Sequence, residues 1–507
     1  MLGAVGLVCL MVLISVIHHF QLKAAVNRYK AELKAKGEPM ELAQVIPPSV
    51  PAEKNGATFF LKAMALVNTN VDVLTSNPPS TMRGIIPGKA EVSWVQPEIR
   101  ISYATNSWKE VEMALAQNKE AINLLVQITN FSLFDFNLQY KQRFEMRLTH
   151  LVLEKEASQK LSFSAVDHLR LGNAGAAANN IRTILALAKG THDERTAISQ
   201  LVRIAITQNG FAAIWELLQF QNLTEEQLAG LQADCSQLEF IQAAEFVLPV
   251  EREGCEATFV SWRNSNSELQ RYFDLTKKAH ENIGGSAEEN SDADKSKIKI
   301  FLWRYWWSYA DELRYLKGYE VLVKTLRLIE TNRSFQSALS SQDSELERLG
   351  ISKLESSFAA LFSGKTDLHS MMSASIVTLS GFSRKIMRVE VARQTFVTAI
   401  ALKRYQLKRG NYPADLKLLV PEFVSTVPRD PVDGQPLRYR LNADGTFLLY
   451  SIGENGVDDG GNPALGKNAK GFSFSWQNPY ALDWVWPQPA TEVEIEMYYD
   501  EQAKKSR

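Results

Sequence analysis

The residues best suited to chemistry in this sequence are concentrated in one short segment near its C-terminal end. The segment Ile452–Gly461, called the acidic loop below, combines Glu454, Asn455 and the adjacent pair Asp458 and Asp459 with glycines. These side chains make the segment a loop rich in oxygen donors. Asn-Gly and Asp-Gly are also ordinary turn formers, so a set of tight turns accounts for the same residues.

Other arrangements that could carry catalysis fail on spacing or context. Ser363–Thr366 matches the end of a phosphate-binding loop, but Ala359 stands where that motif requires glycine. The cluster His192–Arg195 lies where one predicted helix ends and another begins, and Asp193 and Glu194 suit a helix N-terminus. The seven histidines are scattered, and no Gly-x-Ser-x-Gly elbow occurs. We therefore assign no catalytic and no cofactor-binding residue, and the sequence favours a protein that is not an enzyme.

The composition is that of an ordinary globular protein. Of 507 residues, 45% are hydrophobic and 22% are charged, and 56 basic residues balance 57 acidic ones. Because no bulk basic field results, nucleic acid is not predicted as a partner. Three cysteines exclude a disulfide framework. Cys235 and Cys255 are close enough in sequence to pair in an oxidising compartment, and two separate buried thiols are the alternative.

The N-terminal segment predicts a membrane anchor at residues 1–22. Leu2–Ile17 carries no charged side chain, and Phe20 extends the apolar run past His18 and His19. A helix of about 20 predominantly apolar residues crosses a bilayer, so the membrane is a predicted partner. A cleaved signal peptide and a buried core helix are the alternatives.

The side of the membrane is ambiguous in the sequence. Basic residues follow the apolar run at Lys23, Arg28, Lys30, Lys34 and Lys36. The positive-inside rule would place the body of the protein in the cytoplasm. A start codon upstream of Met1 that adds basic residues before the apolar run would reverse the orientation that this rule predicts. We expect a periplasmic or otherwise extracytoplasmic body, and the charge pattern conflicts with this expectation.

The elements that must position these residues are mainly helical. In residues 23–100, prolines at Pro39, Pro47, Pro48 and Pro51 predict a stalk or a surface wrap, with short helices. In residues 101–380, apolar side chains recur at three- and four-residue steps between short breaks, which predicts an antiparallel α-helical bundle or solenoid. An aromatic window from Phe301 to Tyr315 is predicted to pack on that bundle. A membrane-interface or ligand-stacking patch is the alternative for this window.

The last quarter, residues 385–507, predicts a small α+β domain with an antiparallel sheet. A helix over Lys385–Arg409 ends at Gly410. The β-prone runs Leu437–Leu441 and Thr446–Ser451 are joined by an Asn-Ala-Asp-Gly turn, which is a hairpin signal.

The order of motifs here resembles the C-terminal domain of the type II secretion major pseudopilins. The shared features are a helix followed by Gly-x-Tyr-Pro at Gly410, a Leu-rich segment, Pro-x-Asp-Pro at Pro428–Pro431, a hairpin ending in Tyr-Ser, and the acidic loop. The resemblance covers about the last quarter of the chain and leaves the helical body unrecognised. Val432 stands where the family usually has Trp, and a long helical body separates the apolar N-terminus from this domain. The chain therefore resembles a user of the domain rather than a filament subunit.

The resemblance implies a calcium site in the acidic loop. Matched residue by residue, it carries Ser451, Asp458 and Asp459 over as ligands, with Asn455 nearby and Asp483 closing the loop from downstream.

These observations predict a membrane-anchored envelope protein of non-enzymatic, interaction or structural type, with a protein partner. One alternative is a ligand-binding receptor or enzyme whose pocket lies in the helical body near Trp303–Tyr309. A further alternative is an accessory component of a type II secretion-like system.

Overall fold

The chain is folded mainly into α-helices, with small sheets, as the sequence predicts. The computed structural model describes residues 2–68, 73–74, 81–101, 104–282, 300–351, 368–466 and 478–505. Ser363–Thr366 lies outside the described residues. The α-helices of the described part are α1 (Leu2–Ala35), α2 (Leu42–Val45), α3 (Gly56–Met64), α4 (Trp108–Gln117), α5 (Lys119–Val126), α6 (His150–Arg170), α7 (Ala174–Gly190), α8 (Ala197–Leu218), α9 (Glu225–Ser236), α10 (Ile241–Asn264), α11 (Asn266–Asn282), α12 (Ser308–Asn332), α13 (Phe335–Arg348), α14 (Ser375–Arg409) and α15 (Glu492–Lys505).

Local signals explain where several helices begin and end. The Ser107 side chain accepts a hydrogen bond from the Glu110 backbone and the Glu110 side chain reaches back, so a capping box starts α4. Thr224 starts α9 in the same way. Gly410 ends α14 with a φ of 84°, a left-handed conformation that suits glycine.

The helical body is a bundle in which the connections from α6 to α11 are short. The helices α6, α7 and α8 pack on one another, α14 packs on α8 and α9, and α10 packs on α12. Cys235 on α9 and Cys255 on α10 are buried in this bundle as free thiols, so the proposed pairing between them is not formed.

The C-terminal quarter is built into the same core as the helical body. The helix α14 begins at Ser375, so Lys385, where the sequence predicts the last domain to start, lies inside a continuous helix. The buried Phe396 of α14 stacks on Phe211 of α8, with ring centroids 4.6 Å apart and planes 11° apart. On its other side Phe396 meets Trp486 edge-on at 5.0 Å.

The predicted hairpin is present, and it belongs to one of the small sheets. Strand β5 (Arg438–Leu441) pairs antiparallel with β6 (Phe447–Ser451), which pairs with β7 (Trp484–Val485). In chain order these follow four strands nearer the N-terminus: β1 (Arg83–Ile86), β2 (Lys89–Glu91), β3 (Glu98–Ile101) and β4 (Ala104–Ser107). The strand β8 (Gln488–Pro489) pairs in parallel with β2. The tail of the chain therefore returns to the segment that lies between α3 and α4.

The proline-rich segment lies along the body as a surface wrap, the second of the two predicted forms. Arg195 donates a hydrogen bond to the carbonyl of Val45 at 2.5 Å, and Arg252 donates one to the carbonyl of Pro39. These contacts hold the segment against α10 and against the connection that precedes α8.

Candidate functional site

Asp483 closes the acidic loop, as the resemblance implies, but it does so through the backbone. Its buried carboxylate accepts hydrogen bonds from Gly461 N at 2.9 Å, from Asn462 N at 3.0 Å and from Asp459 N at 3.4 Å. Burial raises the pKa of Asp483. Both oxygens of this side chain are therefore already occupied by N–H donors.

Asp458 faces an arginine. Its carboxylate accepts hydrogen bonds from Arg438 Nε at 3.3 Å, from Tyr450 Oη at 2.9 Å and from Gly460 N at 3.1 Å. Arg438 also bonds Asp433 at 2.7 Å. The Arg438 guanidinium thus pairs with Asp433, which precedes the hairpin in sequence, and with Asp458, which follows it.

Ser451 links the start of the loop to Asp430, since its hydroxyl also accepts a hydrogen bond from Gly453 N at 3.4 Å. It is buried on β6, and its hydroxyl donates to Asp430 Oδ1 at 2.8 Å. Asp430 also accepts from Ile452 N and Val432 N, each at 3.0 Å. The aspartate of the Pro-x-Asp-Pro motif therefore joins that turn to the end of the hairpin, a role the sequence analysis did not assign.

Asn455 and Asp459 complete the predicted set at the exposed edge of the loop. Asn455 Nδ2 donates to Asp459 Oδ2 at 3.2 Å, and Asn455 Oδ1 accepts from Val457 N at 3.0 Å. Both side chains face solvent.

The structure brings four of the five predicted ligands to one loop and directs Ser451 toward Asp430. Their oxygens point at N–H groups, a tyrosine hydroxyl and a guanidinium instead of converging on a common point. Within the described ranges, no group of three or more His, Cys, Asp or Glu side chains is arranged to hold a metal ion. The geometry does not fit a preformed calcium centre, and calcium binding by this loop stays a prediction.

A buried cluster of ionisable residues lies elsewhere, in the helical body. His150 Nε2 lies 2.8 Å from Glu194 Oε1, and the ring of Phe136 stacks on His150 with centroids 4.2 Å apart. Glu154, one turn along α6, accepts a hydrogen bond from Thr191 Oγ1 at 3.2 Å. A cleft of about 730 Å³ on the surface includes His150 in its wall.

This cluster holds two buried carboxylates, those of Glu154 and Glu194, which interact with each other. Burial raises the pKa of Glu154 well above its ordinary value, and the Glu194 carboxylate raises it further. Glu154 Oε2 and Glu194 Oε2 have no hydrogen-bond partner. Burial and the neighbouring carboxylate therefore favour the protonated form of Glu154 over its ionised form.

The members of this cluster come from distant parts of the chain, so no sequence motif joins them. Only the spacing of His150 and Glu154, four residues apart on one helix face, is visible locally. Glu194 was assigned to a helix start, which is wrong: it is buried, and the cap of α8 is Thr196.

The helix α1 divides into two halves with different surroundings. Apolar side chains of its first half are exposed: Leu10, Met11, Val12, Leu13, Ile14, Val16, Ile17 and Phe20. Val26 and Leu33 of its second half are buried against the body. Among the described residues α1 is the one helix long and apolar enough to cross a membrane, and a signal sequence has the same length and composition. The alternative of a buried core helix is wrong for the first half.

Ion pairs fasten the second half of α1 to the body. Lys30 Nζ lies 2.6 Å from Glu312 Oε1 and 3.1 Å from Glu256 Oε2. Tyr29 and Lys36 both bond Glu320 on α12. These ion pairs join α1 to the body.

Comparisons with known proteins add no assignment to this geometry. No family model, curated protein or solved structure matches the chain.

Proposed function

We propose that this chain is a membrane-anchored envelope protein that works through contacts with another protein and not through catalysis. The observation that carries the anchor is the division of α1 into an exposed apolar half and a half ion-paired to the body. Exposed apolar side chains along a whole helix face are costly in water and favourable in a bilayer.

Alkaline extraction of membranes tests the anchor. The wild-type chain should stay in the membrane pellet, and the variant Val12→Lys/Val16→Lys should move to the supernatant because two charges enter the apolar half. The control Val152→Lys changes an exposed valine of α6 and should stay in the pellet. A wild-type chain found in the supernatant, or a mature protein whose first residue lies after Leu22, would contradict an uncleaved anchor.

We place the body outside the cytoplasm. Two of the basic residues that follow the apolar run, Lys30 and Lys36, pair with acidic residues of the body, so they serve the fold. This weakens the argument that the same charges hold the body in the cytoplasm. A reporter enzyme active only outside the cytoplasm, fused after Arg507, should be active; an inactive fusion on a stably expressed chain contradicts the placement.

Calcium binding by the acidic loop is the finer part of the proposal, supported by the resemblance and by the exposed carboxylate of Asp459. Because α14 is shared with the body, the measurement needs the full chain. Calorimetry should show calcium binding that Asp459→Asn weakens and Asp500→Asn, on exposed α15, leaves unchanged. No heat and no shift in melting temperature with calcium would end this part of the proposal.

A second candidate is ligand binding or catalysis in the helical body. The observation that favours it is the cleft beside His150, whose partner Glu194 is buried. The clefts described in the structure are not lined by Trp303–Tyr309, the place the sequence suggests. Ligand screening by thermal shift, with His150→Phe as the insensitive variant, distinguishes this candidate. Co-purification of the full chain with pseudopilins would instead favour an accessory role in a secretion system.

A further inference from the structure

Exposed aromatic side chains of the body surround the point where α1 leaves it. Phe301 is 57% exposed, Tyr305 is 46% exposed, and Trp306 is 38% exposed. Phe20 of α1, in the same region of the helix, is 61% exposed. We call these four residues the aromatic collar. The prediction that the aromatic window packs on the bundle is therefore right for Trp303 and Tyr315, which are fully buried, and wrong for the collar.

Direct contacts fix the level of the collar on α1. The ring of His19 lies 5.9 Å from Tyr305 and 5.0 Å from Tyr309, measured between centroids. His19 Nδ1 is 3.1 Å from the carbonyl oxygen of Tyr305, and the ring of His18 lies 6.5 Å from Trp306. The collar thus lies after the last uninterrupted apolar residue, Ile17, and before the first basic residue that follows, Lys23.

This level matches the edge of a bilayer. From Leu2 to Phe20 a helix rises about 27 Å at 1.5 Å per residue, which is close to the hydrocarbon thickness of about 30 Å. Aromatic rings with one apolar and one polar side are enriched at this boundary. The collar therefore has the composition and the position of an interfacial belt, although most of it comes from a segment far from α1 in sequence.

The fold holds these rings outward. Residues Trp303–Trp307 form a π-helical turn, in which Trp303 is buried against Phe259 with centroids 6.3 Å apart and planes 5° apart. The same turn exposes Tyr305 and Trp306 on its other side. Arg263 lies 3.8 Å above the Tyr309 ring and pairs with Glu312, which ties the turn to the ion pairs of α1.

We propose that the aromatic collar inserts into the interfacial zone of a phospholipid bilayer, so that the helical body lies directly on the membrane surface. The inference rests on the proposed anchor, because the collar continues the exposed apolar surface of α1. A lipid surface is the occupant because that surface ends at the collar and basic residues follow.

Fluorescence quenching in vesicles tests contact with lipid. The full chain is reconstituted into phosphatidylcholine–phosphatidylglycerol vesicles that carry bromine near the headgroup end of the acyl chains. Trp306→Phe should lower the tryptophan emission that bromine removes per mole of protein. Trp94→Phe, which changes a ring packed on Phe220 in the body, should leave that quantity unchanged. Equal quenching in the wild type and in Trp306→Phe overturns the proposal. A bound protein that shields the collar from lipid also overturns it.

A second measurement separates the collar from the anchor. In the Val12→Lys/Val16→Lys background, the change Phe301→Ser/Tyr305→Ser/Trp306→Ser should reduce binding to the same vesicles by about tenfold. The control Val152→Ser/Leu171→Ser/Ile198→Ser removes three apolar side chains of the body that are more exposed than the three replaced in the collar, and it should reduce binding much less. Equal losses contradict the collar even if alkaline extraction supports the anchor. A loss specific to the collar supports it even if the anchor fails.

Discussion

Lys30 Nζ of α1 lies 2.6 Å from Glu312 Oε1 of α12, and Arg263 of α10 holds the other oxygen of the same carboxylate at 2.6 Å. Glu312 is almost fully buried, and Lys30 and Arg263 pair with its two oxygens, which offsets the cost of burying the carboxylate. The ion pair between Lys30 and Glu312 therefore links α1, which carries the exposed apolar surface, to the body.

Replacing Lys30 with Met should loosen α1 from the body. Glu312 would keep only Arg263, and we expect a loss of about 1–2 kcal/mol in the free energy of unfolding. Urea unfolding in detergent measures it, and limited proteolysis should cut more readily between α1 and α2. Lys34→Met, at an exposed position on the same helix, is the control. Equal stability of the two variants would show that the pair contributes nothing.

Glu216 should make stability depend on pH between about 4.5 and 7. This fully buried residue of α8 accepts hydrogen bonds from Met82 N at 2.9 Å and from Ser93 Oγ at 2.6 Å. Burial raises its pKa from 4.5 to about 7. Because the folded-state pKa is the higher one, its contribution is fully present below pH 4.5 and is lost as the pH rises through 7.

Glu216→Gln removes that titration and keeps an acceptor for the same donors. The free energy of unfolding of Glu216→Gln minus that of the wild type should increase by about 3 kcal/mol from pH 4.5 to pH 8. Other buried carboxylates titrate alike in both proteins, so the difference isolates Glu216. Parallel pH profiles for the wild type and the variant would refute the assignment, and exposed Glu120→Gln should give such a parallel profile.

Glu154→Gln should stabilise the protein at pH 8. An amide at this position cannot ionise, so it removes the repulsion from Glu194 that raises the pKa of Glu154. The raised pKa of Glu154 means that the wild type loses stability as the pH rises. The variant should therefore gain about 1–2 kcal/mol at pH 8 and little at pH 5. Thermal melts at both pH values decide it, with exposed Glu53→Gln as the control; a variant that melts lower at pH 8 would contradict the argument.

Phe396→Ala should destabilise the helical body and the C-terminal quarter together. The ring is fully buried between Phe211 and Trp486, and its removal should cost about 3–5 kcal/mol. Hydrogen exchange should rise in α8 and in strand β6 by similar factors, whereas exposed Phe144→Ala should change neither. Faster exchange confined to β6 would mean that the last quarter is an independent domain.

The sequence by itself determined the local elements of this protein. Apolar residues at three- and four-residue steps predicted the helices, and Gly410 and the Asn442–Gly445 turn predicted an end of α14 and the β5–β6 hairpin. These features depend on backbone preferences and hydrogen bonds between near neighbours, which are written in adjacent residues. The exposed apolar half of α1 was predictable for the same reason.

Only the tertiary structure decided which distant residues meet. Lys30 and Glu312, His150 and Glu194, and strands β2 and β8 are joined by packing, and no local pattern specifies such partners. The same packing turned Ser451 toward Asp430 and set Arg438 against Asp458, so the predicted ligands serve turns and ion pairs. It also divided one aromatic run into a buried face and the collar. A ring's exposure depends on what the rest of the chain leaves uncovered.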